Sequence, residues 1–412
     1  MSEPSGGGRA WTITILLTVF MLINFLDKIA LGLVAVPLMD ELHLSPKQFG
    51  DLGSGFFWLF AVGGVLGGFL ANRVRAGVLI LGMVLIWSVT QLPIGYSASI
   101  SVIVICRAVL GAAQGPAWPV AVHALYKWFP NDRRNVPISV VAQGSTVGMV
   151  AAGILIPLIT ASWGWRANFV ALAVIGCVWA LIWLAVAEEG EEDSEEAGAD
   201  SITLSYVHLL FDRSVLGCAI THFVGYWSLA LTLTWLPAYF QRGLGFGGIA
   251  SGWLYSGVVA LMIPFGIGLA WGSEHLLKRG VPSKTARGRY LSALLMAAGG
   301  LLAILYADLP EWLRIGLIAV ALGCTPIVYS LGPAVLAEVV PVPQRGSMLA
   351  IINSVASLAG IAAPVVTGAL IENVSGARGF ELGFALCGAL MVAGGLLGLW
   401  MIDPERSLRY AT

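Results

Sequence analysis

Charge is what this sequence has least of. Asp, Glu, Lys and Arg together make up 11% of its 412 residues, whereas soluble globular domains carry about 25%. So few charged side chains cannot cover the surface of a soluble protein of this length. The shortage excludes an ordinary soluble enzyme, a nucleic-acid-binding protein and a disordered scaffold. It leaves an integral membrane protein, in agreement with a hydrophobic content of 58%.

Cysteine is also scarce, and several motifs are missing. The five cysteines stand apart in apolar stretches and form no C-x-x-C motif, so we expect neither disulfide bonds nor a bound metal ion. The sequence contains no P-loop, dinucleotide-binding fingerprint, haem motif or catalytic triad. We therefore expect a protein that is not an enzyme, needs no cofactor, binds no nucleic acid and uses no ATP by itself.

The few acidic residues are unevenly distributed. Eight of the 23 lie in the segment 188–200, so 15 remain elsewhere against 22 Lys and Arg. The net charge of −1 therefore hides a positively charged body and one acidic segment. Such a run is typical of a solvated linker. It predicts an N-terminal bundle over 1–187, an acidic cytoplasmic linker over 188–213 and a C-terminal bundle over 214–412.

Apolar runs of membrane-spanning length occur throughout the chain. A helix needs about 20 apolar residues to cross the hydrocarbon core of a bilayer. The runs predict an all-α membrane protein with twelve transmembrane helices in two pseudo-symmetric bundles of six. They lie near 11–37, 48–71, 77–96, 99–129, 136–160, 167–187, 214–240, 249–274, 289–306, 312–339, 346–371 and 379–402.

The distribution of Lys and Arg predicts the orientation of these spans. If both termini are cytoplasmic, 15 fall on the cytoplasmic side and 5 on the opposite side, and two lie inside spans. This bias follows the positive-inside rule and supports the count of twelve. Transporters built from two such repeats bind their substrate near the midplane, between the halves.

Asp27 and Lys28 lie in the middle of the first predicted span, and Arg107 lies within the fourth. A charge at the bilayer centre costs at least about 2.5 kcal/mol, so such residues are candidates for function. Two cations beside one acid leave an excess positive charge that favours an anionic ligand. The alternative is a structural role, in which Asp27 pairs with Lys28 or Arg107 and only links helices.

Polar residues near these charges extend the candidate site. Arg107, Gln114 and Trp118 are spaced by seven and four residues, which predicts a common helix face. The guanidinium would bind a carboxylate through two parallel hydrogen bonds, and the amide and indole would contact the rest of the ligand. Asn24 lies one turn before Lys28 and is expected to orient it.

Other polar residues in the spans are more isolated. Gln143, Tyr226 and Asn353 are candidates for further ligand contacts. A single histidine in an apolar helix, such as His123 or His222, is more often a core residue with satisfied hydrogen bonds than part of a site.

Several segments, taken in order, resemble one known family. They include NFLDKIALGLVAVPLMDELHLSPKQFG, RAVLGAAQGPAWPVAVHALYKWFPNDRR, WLPAYFQRGLGF and QRGSMLAIINSVASLAGIAAPVVTGAL. Over nearly its whole length the chain resembles the major facilitator superfamily and, within it, the anion:cation symporter group of organic-anion transporters. The resemblance implies alternating-access transport of an organic anion together with protons.

The resemblance also implies roles for individual residues. Asp27 matches a protonatable acid of the family, and Lys28 stands where relatives use an Arg to bind the substrate carboxylate. Arg107 matches the cation of the fourth helix. Asn353 matches an Asn that such proteins use for substrate on the eleventh helix.

Some residues depart from the family pattern in ways that bear on the substrate. Gln114 replaces a Glu, so Asp27 would have to carry the proton alone. Phe25 and Phe60 replace Tyr residues and Gly64 replaces a Gln, which removes hydrogen-bond partners for sugar hydroxyls. We therefore expect a less hydroxylated, more apolar monocarboxylate, with aromatic acids among the candidates.

The loop after the second span departs as well. The family motif G-x-L-A-D-R reads GFLANR here, with Asn72 in place of the acid and Arg73 after it. Asn72 keeps hydrogen-bonding capacity but lacks the charge that holds an inward gate. Arg73, Arg133 and Glu274 are the other candidate gating residues.

Together these features predict a secondary active transporter that imports a small organic anion by proton symport, as a monomer in a bacterial inner membrane. A proton-coupled exporter of drugs or metabolites is one alternative, although the fifth span has Pro157 without the Gly-Pro-x-x-Gly-Gly signature of such exporters. A receptor that binds the anion without moving it is the other. Only a flux measurement separates a receptor from a transporter.

Overall fold

The computed structural model describes residues 7–71, 73–129, 133–188 and 204–409. These residues form α-helices joined by short turns, and none of them is in a β-strand. The helices are α1 (Gly7–Leu33), α2 (Ala35–Leu42), α3 (Pro46–Trp58), α4 (Phe60–Ala71), α5 (Ala76–Tyr96), α6 (Ile100–Gln114), α7 (Ala117–Tyr126), α8 (Asn135–Trp163), α9 (Trp165–Val186), α10 (Tyr206–Leu210), α11 (Arg213–Thr234), α12 (Leu236–Ala238), α13 (Gly248–Lys278), α14 (Tyr290–Ala303), α15 (Glu311–Cys324), α16 (Ile327–Val339), α17 (Arg345–Asn373), α18 (Ala377–Met401) and α19 (Pro404–Arg409).

Within the described residues, twelve helical segments are long and apolar enough to cross a membrane. Helices satisfy all their backbone hydrogen bonds internally, which is the condition for crossing hydrocarbon. The prediction of an all-α protein with twelve transmembrane helices is confirmed.

Two of these segments are interrupted by proline at corresponding places. The fourth, Ile100–Tyr126, breaks between α6 and α7 at Pro116, and the tenth, Glu311–Val339, breaks between α15 and α16 at Pro326. Proline has no backbone N–H and clashes with the preceding turn, so it ends one helix and begins the next. The shared position of the break is a structural trace of an internal repeat.

The chain divides into two compact units. Among the described residues, unit 1 comprises 7–45, 51–188 and 246–256, and unit 2 comprises 46–50, 204–245 and 257–409. Residues 189–203, which hold seven of the eight acids of the predicted linker, lie outside the described residues. The remaining acid, Glu188, accepts a hydrogen bond of 2.8 Å from Arg9 Nη1 within unit 1.

The core of unit 1 brings α1, α5 and α8 into contact. Phe20 of α1 stacks on Trp87 of α5 with 4.9 Å between ring centres. Gly148 of α8 faces the backbone of Leu22, where a β-carbon would overlap the carbonyl oxygen. Because this glycine has no side chain, α8 lies directly against the stretch of α1 that precedes Asn24.

A buried ion pair lies in the core of unit 2. Arg314 Nη1 of α15 is 2.6 Å from Glu381 Oε1 of α18, and the Glu381 side chain is 2% exposed. The Tyr239 hydroxyl donates to the same Glu381 oxygen at 3.3 Å. The helix begins at Glu311 and carries Arg314 inward to this partner.

Candidate functional site

Five of the polar side chains buried inside unit 1 are amides or charged groups on α1, α5 and α6, and we call them the polar cluster. They are Asn24 and Asp27 of α1, Gln91 of α5, and Arg107 and Gln114 of α6, and each is at most 2% exposed. Buried amides and charges are rare in an apolar helix bundle unless they are paired or serve a ligand. Their environment therefore decides what they do.

Asp27 is the only acid of the polar cluster. Gln91 lies beside its carboxyl group, without a hydrogen bond of good geometry, and Lys28 and Arg107 are near enough to act on its charge. Among the described residues, however, Asp27 forms no ion pair, and its Oδ1 atom has no hydrogen-bond partner. The structural alternative, in which Asp27 pairs with Lys28 or Arg107, is therefore absent from this structure.

Aromatic rings hold the two cations instead. The Lys28 ammonium lies 4.3 Å from the centre of the Phe25 ring and 5.1 Å from that of Phe60. The Arg107 guanidinium lies 4.8 Å from the centre of the Phe56 ring. Such contacts stabilise a cation by about 0.5–2 kcal/mol without neutralising it. Both cations keep their charge available to an anionic ligand.

A glycine on α6 brings the Phe56 ring to Arg107. Gly111 lies one turn after Arg107, and a β-carbon there would overlap the carbonyl oxygen of Phe56. The backbones of α3 and α6 therefore touch at this crossing. The contact sets the Phe56 ring over the guanidinium, one turn back along α6.

The amides of the polar cluster have no hydrogen-bond partner among the described residues. The side-chain N and O atoms of Asn24, Gln91 and Gln114 are buried without a hydrogen bond, as is Arg107 Nε. Each such group costs about 1–3 kcal/mol when left unpaired. A small polar ligand or ordered water would satisfy them. The predicted orienting bond from Asn24 to Lys28 is absent.

The predicted common face of Arg107, Gln114 and Trp118 crosses a break in the fourth segment. Arg107 and Gln114 are buried on α6, but Trp118 belongs to α7 and is 38% exposed. The break at Pro116 falls between them, and the spacing rule for a common face holds only within one continuous helix. A common face therefore stays a prediction for Trp118.

The remaining predicted site residues lie outside the polar cluster. Gln143 of unit 1 and Asn353 of unit 2 are exposed, Tyr226 of unit 2 is half-buried, and Phe60 lies under Lys28. The predicted gating residues Arg73, Arg133 and Glu274 are exposed, and Asn72 lies outside the described residues.

Comparison with known proteins identifies the family. The family model for the Major Facilitator Superfamily matches residues 16–286 and 287–411 of the chain. The chain belongs to this superfamily. It is therefore a multi-pass membrane transporter and not an enzyme, as the resemblance implied.

Relatives within the superfamily match over most of the chain. The hexuronate transporter of Bacillus subtilis is 27% identical over 93% of this chain and 92% of its own length. The probable sulfoacetate transporter of Cupriavidus necator is 26% identical over 93% and 91%. The D-galactonate transporter of Escherichia coli is 22% identical over 97% of each chain.

Solved structures of superfamily transporters share the fold. A bacterial homologue of the human lysosomal transporter Spinster, in an inward-facing and occupied conformation, matches with a TM-score of 0.81 at 17% identity, over 99% of this chain and 98% of that one. The D-xylose–proton symporter matches with a TM-score of 0.79 at 15% identity, over 96% and 99%.

Sequence reasoning missed two parts of this superfamily member. Gln91 joins the polar cluster, and its signal was available, since it is a single amide in the apolar third span. Unit 2 also holds an ion pair between Arg287 and Glu338. The Ser283 hydroxyl donates a hydrogen bond of 2.8 Å to Oε1 of Glu338. That pair joins residues 51 positions apart, so local spacing carries no signal for it.

Proposed function

We propose that this protein is a secondary active transporter that imports a small organic anion by proton symport. The observation that carries the proposal is that Lys28 and Arg107 rest on phenyl rings near Asp27 without pairing with it. Two cations and one acid leave one positive charge inside unit 1 without a counter-ion. A bound carboxylate would supply the missing negative charge.

The names of the relatives support an anionic substrate. They are transporters of hexuronate, D-galactonate and sulfoacetate. All three substrates carry an acid group that a guanidinium binds through two parallel hydrogen bonds. Arg107 and Lys28 are the residues we propose for that contact.

The surroundings of Lys28 support an apolar substrate body. Phe25 and Phe60 both lie within 5.1 Å of the ammonium, where the family pattern has Tyr. A group bound by Lys28 would therefore meet hydrocarbon faces and no hydroxyls at these positions. We infer a monocarboxylate with an aromatic or weakly hydroxylated body.

Asp27 is the proposed proton carrier. A negative-inside potential opposes an entering anion by about 2.3 kcal/mol per 100 mV, and one accompanying proton removes that electrical work. Protonation of Asp27 would also end its attraction for Lys28 and Arg107, which raises their affinity for the carboxylate. Gln114 cannot take up a proton, so we propose one proton for each monocarboxylate.

The other predicted assignments complete the proposal. Bundles over 1–187 and 214–412, joined by the acidic linker 188–213, would alternate access to the site. The chain would act as a monomer in a bacterial inner membrane with both termini in the cytoplasm, as the positive-inside count favours. The proposed outer ligand contacts are Trp118, Gln143, Tyr226 and Asn353, and the proposed gating residues are Asn72, Arg73, Arg133 and Glu274.

A flux assay tests this function. Proteoliposomes with the purified chain are given an inward proton gradient and a panel of labelled acids: benzoate, phenylacetate, butyrate and galacturonate. We expect gradient-driven uptake of an aromatic or short acid that a protonophore abolishes. Binding without flux would make the protein a receptor. Uptake driven only by an outward proton gradient, in which substrate enters as protons leave, would indicate the antiport of an exporter. Uptake of galacturonate alone would contradict the proposed substrate.

A further inference from the structure

Gln91 of α5 has no role in the proposed transport mechanism, although it is buried in the polar cluster. It is 1% exposed, and its side-chain nitrogen and oxygen have no hydrogen-bond partner among the described residues. Folded proteins seldom leave a buried amide unpaired, because the group then bears the full cost of losing water. The surroundings of Gln91 therefore have to explain why an amide is buried there.

The packing of α1 on α5 places Gln91 beside Asp27. Phe20 of α1 stacks on Trp87 of α5 with 4.9 Å between ring centres. The two helices belong to the first and third spans, so they run in the same direction. Gln91 follows Trp87 by one turn, and Asp27 follows Phe20 by two turns on the same face. The long Gln91 side chain bridges this difference and lies at the Asp27 carboxyl group.

The two side chains have complementary polar atoms. Asp27 Oδ1, Gln91 Nε2 and Gln91 Oε1 are all buried without a hydrogen bond among the described residues. An ionised carboxylate only accepts hydrogen bonds, whereas a protonated carboxyl group also donates one. An amide carries both an N–H donor and a carbonyl acceptor, and half a turn about its last bond exchanges them. Gln91 can therefore serve Asp27 in either protonation state.

The charged neighbours of Asp27 cannot do the same. They are Lys28 on α1 and Arg107 on α6. Helices α5 and α8 carry no acidic or basic residue. The remaining acidic and basic residues of α1 and of the helices packed against it are Arg9, Asp40, Glu41, His123 and Arg166. Lys28 and Arg107 can donate to Asp27 but cannot accept from it, so Gln91 is the neighbour that offers an acceptor.

We propose that Gln91 is a positioning residue for proton exchange at Asp27. Its amide N–H group donates to the ionised carboxylate, and its carbonyl oxygen accepts from the protonated carboxyl group. The proton passes between Asp27 and water, and Gln91 does not carry it. This inference rests on the proposed function, because it takes Asp27 as the proton carrier.

Removing the amide should shift the pH dependence of transport. A hydrogen bond to the ionised carboxylate is the stronger of the two, because its acceptor is charged. Gln91→Met keeps an unbranched side chain of similar length but removes both the donor and the acceptor. We expect the pH of half-maximal proton-driven uptake to rise by about one unit, which corresponds to tenfold tighter proton binding. Gln91→Leu removes the same groups with a different shape and should behave alike.

Uptake is measured against external pH in proteoliposomes, after subtraction of the rate in empty liposomes. The probe is the best-transported acid among benzoate, phenylacetate, butyrate and galacturonate. The matched control is Thr90→Val, because the Thr90 hydroxyl bonds only to carbonyl oxygens of Ile86 and Trp87 on its own helix. Thr90→Val should leave the pH profile unchanged. Counterflow in Asp27→Asn should show the same KM for the acid with or without Gln91→Met, since no proton is then handled.

Infrared spectroscopy of the purified chain gives a readout that does not depend on transport. In pH-difference spectra, a protonated-carboxyl band that is absent from Asp27→Asn belongs to Asp27, and its frequency reports the hydrogen bonding of that group. We expect this band to change frequency in Gln91→Met and to titrate at higher pH. Thr90→Val should alter neither property.

Three results would overturn the inference. An unchanged Asp27 band or an unchanged pH profile in Gln91→Met would do so while leaving the proposed function intact. A higher KM for the acid in Gln91→Met/Asp27→Asn than in Asp27→Asn would make Gln91 a substrate contact instead. If the wild-type chain shows no gradient-driven uptake, the proposed function fails and this inference fails with it.

Discussion

The Arg107 guanidinium lies 4.8 Å from the centre of the Phe56 ring and makes no ion pair with the nearby Asp27 among the described residues. The ring positions the cation but leaves its charge uncompensated. A carboxylate partner on α1 would have stabilised Arg107 more strongly, and it would have blocked the same atoms that a substrate needs. The contact therefore suits a binding residue better than a structural one.

Replacing the Phe56 ring should weaken anion binding without abolishing it. Phe56→Leu keeps an apolar side chain but removes the aromatic face, so Arg107 loses its support. We expect the affinity for the transported acid to fall about 3- to 30-fold, from the strength of a cation–π contact. Phe169→Leu is the control, since Phe169 is buried against Trp165. Equal losses in the two variants, measured by titration calorimetry, would refute a specific role for Phe56.

Removing the carboxyl group of Asp27 should separate coupling from binding. Asp27→Asn keeps the size and most of the polarity of the side chain but cannot carry a proton. We expect proton-driven uptake to be abolished while substrate counterflow survives, because Lys28 and Arg107 remain. The two rates are measured in the same proteoliposomes. Loss of counterflow as well as uptake would instead assign Asp27 a structural role.

Restoring an acid at position 114 should change the electrical character of transport. With one proton for each monocarboxylate, wild-type uptake moves no net charge and is insensitive to membrane potential. Gln114→Glu adds a second titratable group to the buried polar cluster. We expect uptake by this variant to be accelerated by a negative-inside potential, set with potassium and valinomycin. Potential-sensitive uptake in the wild type would contradict the single-proton proposal.

The crossing of α3 and α6 should tolerate no side chain at Gly111. A β-carbon there meets the Phe56 carbonyl oxygen, which cannot move without shifting α3. Gly111→Ala should therefore cost about 1–3 kcal/mol and lower the melting temperature in detergent. Gly82→Ala is the control, because nothing lies within 4 Å of a β-carbon at Gly82. Equal melting temperatures would show that the crossing can relax.

Breaking the buried ion pair of unit 2 should strongly destabilise the folded protein. Arg314→Gln leaves the Glu381 carboxyl group buried without its cation, which costs about 3–5 kcal/mol. The double variant Arg314→Gln/Glu381→Gln should recover part of the lost melting temperature, because no charge is then left unpaired. Asp308→Asn is the control, since its pair with Arg378 is exposed and should matter little. A double variant no more stable than Arg314→Gln would argue against a charge-pairing role.

Much of the fold was predictable because the bilayer simplifies the problem. The apolar runs at 77–96 and 312–339 correspond closely to Ala76–Tyr96 and Glu311–Val339. A chain in hydrocarbon must satisfy its own backbone hydrogen bonds, so a long apolar run can be little else than a helix. The break at Pro116 was less predictable, because a proline near the end of a helical run marks a break but does not give the geometry across it.

The candidate site was predictable only in part. Asp27, Lys28 and Arg107 stand out because charges are costly in a bilayer. Gln91 carries the same kind of signal more weakly, since an uncharged amide is less costly to bury. The stacking of Phe20 on Trp87, which places Gln91 beside Asp27, carries none, because it joins residues of two different helices.

Composition and hydropathy alone establish the membrane class and the twelve spans, and they single out Asp27, Lys28 and Arg107, because each inference depends on the cost of moving a group from water to hydrocarbon. Only the folded chain shows that Arg107 rests on Phe56, that Lys28 rests on Phe25 and that Asp27 stays unpaired. Spacing along one helix defines a face, whereas a partner on another helix depends on where the two backbones cross. Close glycine contacts set those crossings, and they are a property of the tertiary structure.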